Sequence, residues 1–321
     1  MMLCIFLFMR DCDICDIQYV LILVYRVNDF TVYEMSISDN SCESSSISSL
    51  PLGHMIRAKV RATLKANDMK TSGALIQNIH PDVNVKYNSV NVIVGKQSMG
   101  KTVIALEEII KISLLGTHHL LIYVTKNGDE NDVSFQSLKK LLKIPYVTVS
   151  EKESKSFVEE LIAAKNLYYL IRRERLEDKI DESQKQDMFN VLHISDFSKD
   201  YLHTIILFDD ISNNKLFSSE EGFFSQQIRR CRHTNISYFL LIQGWKGIKP
   251  HVKNEITTLF IFPCFNRQQL RFIYGQSASN MEFDDFYRLY QQMISIKNIN
   301  PDAHPYMIVQ ITDGGDTFIC G

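Results

Sequence analysis

Residues 95–102 carry the pattern that most directly indicates chemistry. They match G-x-x-x-x-G-K-[ST] and read Gly95-Lys96-Gln97-Ser98-Met99-Gly100-Lys101-Thr102. The glycines allow the backbone to curl, so that successive N–H groups converge on phosphate oxygens. In this pattern Lys101 reaches the β- and γ-phosphates and the Thr102 hydroxyl coordinates Mg²⁺. We therefore predict that residues 95–102 bind a nucleoside triphosphate, with ATP as the cofactor, together with Mg²⁺.

A second apolar run ends in two acids. Residues Thr204–Phe208 are followed directly by Asp209 and Asp210. We predict that Asp209 holds Mg²⁺ through water, and that Asp210 orients and polarises the water that attacks the γ-phosphate. Strands often end in aspartate at a turn, so this assignment depends on the loop at 95–102 that precedes it.

A polar residue ends a third run, Tyr238–Ile242, at Gln243. In the superclass of enzymes that carry this loop, a polar residue at the tip of the strand between the two nucleotide-binding strands senses the γ-phosphate. Gln243 stands at the corresponding point in the order of elements. A polar residue at a strand end also has an ordinary structural explanation.

An arginine-rich stretch, residues 228–233, precedes that third run. Arg229 or Arg232 could supply an arginine finger to the nucleotide of a neighbouring subunit, where a guanidinium stabilises charge in the transition state. The alternative is a basic helix end that complements the helix dipole.

The elements that must position these residues follow an alternating pattern from about residue 88. Short apolar runs alternate with helical stretches, which indicates an α/β fold with a mainly parallel central sheet and helices on both faces. Residues 151–190 favour helix with no strand signal. The predicted strands are Val90–Val94, Leu120–Val124, Thr204–Phe208, Tyr238–Ile242, Thr258–Phe262, and a final hairpin of Tyr306–Ile311 and Thr317–Cys320.

Three regions are predicted along the chain. Residues 1–52 form an N-terminal extension that ends in a serine-rich linker, residues 53–87 a basic helical lead-in, and residues 88–321 the nucleotide-binding core. Residues 1–34 are either an edge element or translated sequence upstream of a start at Met35 or Met55. The basic stretch could contact nucleic-acid phosphates or form a solvated face.

Bulk composition excludes several classes. The 321 residues are 45% hydrophobic and 22% charged, which is typical of a globular protein. The formal net charge of −2 argues neither for nor against a nucleic-acid partner. The apolar runs at 3–9 and 18–25 are shorter than the ~20 residues of a membrane span. Outside the first 42 residues the cysteines are isolated, which indicates neither a disulfide framework nor a four-ligand zinc site and fits a reducing intracellular compartment. The pair His118-His119 is expected at the surface, and Trp245 is expected to pack rather than to stack on a base.

The order of these pieces resembles a known family. Residues 91–102, 205–210, and the stretch 231–236 running into 239–243 resemble the genome-packaging ATPases of poxviruses, other large DNA viruses and virophages, of the FtsK–HerA class. The resemblance covers about residues 88–320. Its most specific part is the Arg-His-x-Asn stretch before an apolar strand that ends in glutamine.

The resemblance implies a RecA-like P-loop NTPase that assembles as a ring-shaped homo-oligomer on double-stranded DNA and drives the genome into a preformed capsid by ATP hydrolysis. It carries Walker A roles onto Lys101 and Thr102, Walker B roles onto Asp209 and Asp210, and the sensor role onto Gln243. It also assigns Arg232 as the arginine before the sensor strand. Lys96 and Met99 depart from the small residues of many relatives, and residues 1–85 have no counterpart.

The implied partners are double-stranded DNA, further copies of the chain and a capsid or portal component, in a virus-infected cell or its virion. Two alternatives remain. One is an assembly scaffold gated by nucleotide binding, and the other is a helicase or a recombination-type RecA relative.

Overall fold

The computed structural model describes residues 79–129, 132–210, 215–277, 281–300, 304–311 and 317–320, together with three strands near the N-terminus. The chain divides into two units, residues 1–50 and residues 51–321. In the first unit, β1 (Ile5–Asp11), β2 (Gln18–Arg26) and β3 (Asp29–Ser36) form an antiparallel sheet in that order. The serine-rich linker from residue 37 and the basic stretch to residue 78 lie outside the described residues.

The second unit alternates strands and helices. Its strands are β4 (Val90–Val94), β5 (Leu120–Thr125), β6 (Tyr146–Ser150), β7 (Thr204–Phe208), β8 (Ile236–Ile242), β9 (Thr258–Ile261), β10 (Tyr306–Gln310) and β11 (Thr317–Cys320). Its helices are α1 (Lys101–Leu114), α2 (Val133–Leu138), α3 (Glu151–Glu174), α4 (Glu182–Leu192), α5 (Phe223–Arg229), α6 (Cys231–Thr234), α7 (Pro250–Lys253), α8 (Arg267–Ser277) and α9 (Phe283–Ile299). Short 3₁₀ turns occupy Lys139–Leu141, Lys215–Phe217 and Trp245–Gly247.

The strands of this unit form one eight-stranded sheet in the order β11-β10-β9-β4-β8-β7-β5-β6. The six strands from β9 to β6 pair in parallel, and β10 and β11 add an antiparallel edge. Strand β8 lies between β4 and β7, so the three strands that lead to the loop, to Gln243 and to the two acids are neighbours. The predicted fold class, a mainly parallel α/β sheet, is confirmed.

Helices cover both faces of this sheet. Successive strand residues point to opposite faces, so Val92 joins a core with α3, α4, α8 and α9, whereas Ile93 joins a second core with α1 and α2. The five central strands are fully buried, which explains why they read as continuous apolar runs rather than as alternating patterns. No helix among the described residues is both long and apolar enough to cross a membrane.

Two elements differ from the sequence-based expectation. Strand β6 was not predicted because Tyr146–Ser150 is a partly exposed edge strand with only Val149 buried, and so lacks an apolar run. Residues 79–89 form turns and an isolated bridge, so the described end of the predicted helical lead-in is not helical. The final hairpin pairs antiparallel as predicted, and its turn at 312–316 lies outside the described residues.

Candidate nucleotide-binding site

The loop at 95–102 joins β4 to α1 and contains two residues with a left-handed backbone conformation. Ser98 has φ 60° and Gly100 has φ 90°, and helix α1 begins at the next residue, Lys101. The N–H groups in the first turn of a helix have no acceptor within the helix, so those of α1 are available to bind an anion. Gly95 is required for a different reason: a Cβ there would lie 2.9 Å from Cβ of Phe262, inside van der Waals contact.

Lys101 lies inside this loop. Its side chain is 9% exposed, and Nζ donates a hydrogen bond to the carbonyl oxygen of Lys96 at 2.9 Å. Burial lowers the pKa of Lys101, while the charges of Asp209 and Asp210 act in the opposite direction. A buried ammonium group that donates to a loop carbonyl can donate instead to phosphate oxygens, so the loop fits a triphosphate.

Asp209 lies at the carboxyl end of β7, beside the end of β5. Its backbone N–H donates to the carbonyl of Val124 at 3.0 Å, and its Oδ2 accepts a hydrogen bond from the Tyr123 hydroxyl at 3.0 Å. Burial raises the pKa of Asp209, as do the charges of Asp132 and Asp210, whereas the Tyr123 hydrogen bond and Lys101 lower it. A half-buried carboxylate that is costly to ionise alone fits a site for a divalent cation.

Asp210, the next residue, is exposed and adopts a left-handed backbone with φ 49°. Its Oδ2 accepts a hydrogen bond from Nε2 of Gln243 at 2.7 Å. Left-handed backbone is uncommon for residues other than glycine, and aspartate and asparagine adopt it more readily than most. The conformation turns Asp210 from β7 toward the end of the neighbouring strand β8.

The two candidate arginines lie at the other edge of the sheet. Strands β4 and β8 are parallel with Val94 opposite Ile242, so the loop and Gln243 share the carboxyl edge. Arg232 precedes the start of β8, about 20 Å away along a seven-residue strand. Arg232 is exposed, and Arg229 pairs with Glu220. The structure therefore does not bring either arginine to the loop of its own chain.

Three further residues border the site without belonging to any of the predicted motifs. Tyr123 bonds Asp209, and the ring of His304 lies 3.6 Å from the position of a Cβ on Gly100. Cys264 lies close enough to Lys96 and Lys101 for their charges to lower the pKa of its thiol, although burial raises that pKa overall. No local pattern marks these residues, because each comes from a different element.

The expectation that His118 and His119 lie at the surface is wrong, since they are 2% and 4% exposed. His119 Nδ1 lies 2.6 Å from the His203 carbonyl, and the His118 ring stacks on Tyr87. The residues lie at the amino edge of the sheet, where loops from other strands cover them. Trp245 is 3% exposed and donates to Gln276, which confirms a packing role.

The fold and the loop together define a P-loop ATPase. A parallel sheet places the loop at 95–102, an Asp-Asp strand end and a polar strand tip at the ends of three adjacent strands. The chain belongs to the Poxvirus A32 protein family, whose model matches residues 85–271. This match confirms the resemblance to viral genome-packaging ATPases and extends over more than half of the chain.

Solved structures similar to this chain include the genome packaging NTPase B204 of Sulfolobus turreted icosahedral virus 2. Its sulfate complex is 14% identical with a TM-score of 0.43, over 73% of this chain and 96% of that one. Its ATP-gammaS complex is 13% identical with a TM-score of 0.42, over 73% and 96%. The cytoplasmic domain of the Thermomonospora curvata type VII secretion ATPase EccC is 12% identical with a TM-score of 0.42, over 78% and 30%. No curated protein sequence matches the chain.

Proposed function

We propose that this chain is the motor that translocates double-stranded DNA into a preformed viral capsid, using ATP and Mg²⁺ and working as a ring-shaped homo-oligomer. The observation that carries the proposal is the meeting of Lys101, Asp210 and Gln243 at the ends of β4, β7 and β8. Membership of the Poxvirus A32 protein family supports it. The protein then acts inside the infected cell, with a capsid or portal component as its partner.

In the proposed site the loop amides and Lys101 bind the β- and γ-phosphates. Residues 95–102 wrap the triphosphate, and Lys101 exchanges its bond to the Lys96 carbonyl for bonds to phosphate oxygens. Thr102 and Asp209 are the residues that would hold Mg²⁺, Asp209 through water. Mg²⁺ held there would supply positive charge beside the phosphate oxygens.

Asp210 orients the attacking water in this proposal. Gln243 bonds Oδ2 of Asp210, so the remaining oxygen, Oδ1, is assigned to accept a hydrogen bond from the water. Because Gln243 reaches the γ-phosphate region from the strand between the loop and the acids, it can sense whether the γ-phosphate is present. Loss of the γ-phosphate would then change the Gln243–Asp210 contact.

Arg232 is proposed to complete the site of the next subunit. It lies at the edge opposite its own loop, which suits an arginine supplied across a subunit interface. Arg229, which pairs with Glu220, is the second candidate for that role.

The test is ATP hydrolysis by the purified full chain with and without linear duplex DNA. We expect duplex DNA to raise kcat several-fold, and Asp210→Asn to abolish both the basal and the stimulated rate while ATP still binds. An Asp210→Asn protein that still supports genome packaging would favour the nucleotide-gated scaffold instead. Unwinding of a forked duplex by the wild-type protein would favour a helicase. A protein that binds ATP but hydrolyses it at the same rate with and without DNA would contradict the motor proposal.

A further inference from the structure

Asn235 ends the short helix α6 in a left-handed conformation, with φ 52° and ψ 49°, directly before β8 begins. Asparagine tolerates this conformation better than most residues, which explains its place after Arg232-His233-Thr234. A helix of four residues has few hydrogen bonds of its own, so contacts with the rest of the fold must fix its direction.

The backbone carbonyl of Asn235 joins three elements. It accepts one hydrogen bond from Nζ of Lys165 on α3 and another from the N–H of Thr204 on β7, both at 3.0 Å. Nζ of Lys165 also donates to Oγ1 of Thr204 at 3.2 Å. Lys165 is 2% exposed, and both of its acceptors are neutral oxygens. Burying an amine costs free energy unless its hydrogen bonds are made. Lys165 therefore links α3 firmly to β7 and to the end of α6.

The side chain of Asn235 makes a second set of bonds. Nδ2 donates to the Tyr169 hydroxyl at 3.2 Å, and Oδ1 accepts from Nδ2 of Asn88 at 3.4 Å. The carbonyl of the same Asn88 accepts a hydrogen bond from the thiol of Cys231, the first residue of α6, at 3.0 Å. Both ends of α6 are therefore anchored to the loop before β4.

Arg232 lies between these two anchors and is exposed. We infer that Asn235 and Lys165 are positioning residues that hold α6 so that Arg232 reaches the nucleotide of the neighbouring subunit. The inference rests on the proposed function of Arg232. An arginine finger works only in a narrow range of positions, because a displacement of about 1 Å can cost on the order of 10²-fold in rate.

The test separates positioning from general damage by mixing variants. A ring of Arg232→Ala subunits has intact nucleotide sites without fingers, whereas Lys101→Ala subunits have fingers without functional sites. We expect each variant alone to be inactive and a mixture of the two to regain ATPase activity. Asn235→Ala should lose about 10²-fold in kcat with the KM for ATP within about twofold of wild type. Mixing it with Lys101→Ala should restore activity in the same way.

Matched variants test the mechanism further. Asn235→Gly keeps the left-handed backbone and its carbonyl bonds, so it should retain more kcat than Asn235→Ala. Lys165→Met should behave like Asn235→Ala, while Lys155→Met, an exposed lysine of the same helix, should leave kcat unchanged. If Lys165→Met fails to fold, the comparison of Asn235→Gly with Asn235→Ala tests the positioning role.

Two results would overturn the inference in distinguishable ways. The positioning role is wrong if Arg232→Ala loses activity while folded Asn235→Ala keeps it. It is also wrong if Lys101→Ala subunits restore the activity of Arg232→Ala but not that of Asn235→Ala. In both cases the assignment of Arg232 as the arginine finger stands. If Arg232→Ala hydrolyses ATP at the wild-type rate, the finger itself is wrong and the positioning role falls with it.

Discussion

The side-chain amide of Gln243 donates a hydrogen bond from Nε2 to Oδ2 of Asp210 across 2.7 Å. The two residues lie 33 positions apart and end adjacent parallel strands. The bond fixes one oxygen of the carboxylate that is proposed to orient the attacking water. It thereby joins the proposed sensor directly to the carboxylate that is proposed to polarise the attacking water.

Gln243→Ala should lower kcat about 10²-fold, because Asp210 loses the donor that orients it and the γ-phosphate loses a polar contact. ATP affinity, measured by equilibrium binding, should change little, since the loop and Lys101 remain. Gln291→Ala, an exposed glutamine on α9, is the matched control and should hydrolyse ATP at the wild-type rate. A Gln243→Ala protein with wild-type kcat would remove Gln243 from the site.

Lys101→Ala should weaken ATP binding about 10²-fold, because charge-assisted hydrogen bonds to phosphate contribute about 1.5–3 kcal/mol each. Isothermal titration with ATP measures the change, and Lys152→Ala, an exposed lysine on α3, serves as the control. Unchanged ATP affinity in Lys101→Ala would refute the assignment of residues 95–102. Burial lowers the pKa of Lys101 in the free protein, so this lysine loses its charge at a lower pH than an exposed lysine does. The ATP affinity of the wild-type protein should therefore begin to fall at that lower alkaline pH.

Tyr123→Phe should weaken the apparent Mg²⁺ affinity about tenfold, because Asp209 loses a hydrogen bond that favours its charged form. The ring should stay in place, since it stacks on Phe135 with centroids 4.2 Å apart. Mg²⁺ titration of ATPase activity at fixed ATP measures the effect. Tyr287→Phe, on α9, should leave the titration unchanged. An identical Mg²⁺ midpoint in Tyr123→Phe would show that this hydroxyl does not support the metal site.

Asp209→Asn should abolish hydrolysis and yet stabilise the nucleotide-free protein, raising Tm by about 2 °C or more at about pH 8. Burial raises the pKa of Asp209, so its ionised form costs folding free energy above that raised pKa. As the pH falls through the raised pKa the native carboxyl takes up a proton, and the cost disappears by the ordinary carboxyl pKa of about 3.9. The Tm difference between variant and wild type should therefore shrink toward about pH 4. A Tm difference that is absent at pH 8, or that grows on acidification, would contradict this account.

The strands that carry the site could be predicted from sequence because they are buried on both faces. The strands β4 and β7 were predicted with their observed bounds, and β8 was predicted short by two residues. Edge strand β6 could not be predicted, because a strand that is half exposed and polar has no continuous apolar run. Burial of His118 and His119 could not be predicted either, because these polar residues are covered by loops that are distant in the sequence.

The sequence by itself determined the fold class and the candidate site residues in the loop at 95–102, at Asp209 and Asp210 and at Gln243, since each depends on contiguous residues whose spacing follows from backbone geometry. Only the tertiary structure decided that Tyr123 bonds Asp209, that Gln243 bonds Asp210, and that Arg232 lies at the edge opposite its own loop. These relationships join residues from different strands, and the order in which strands assemble is set by packing across the whole sheet rather than by any local run of residues.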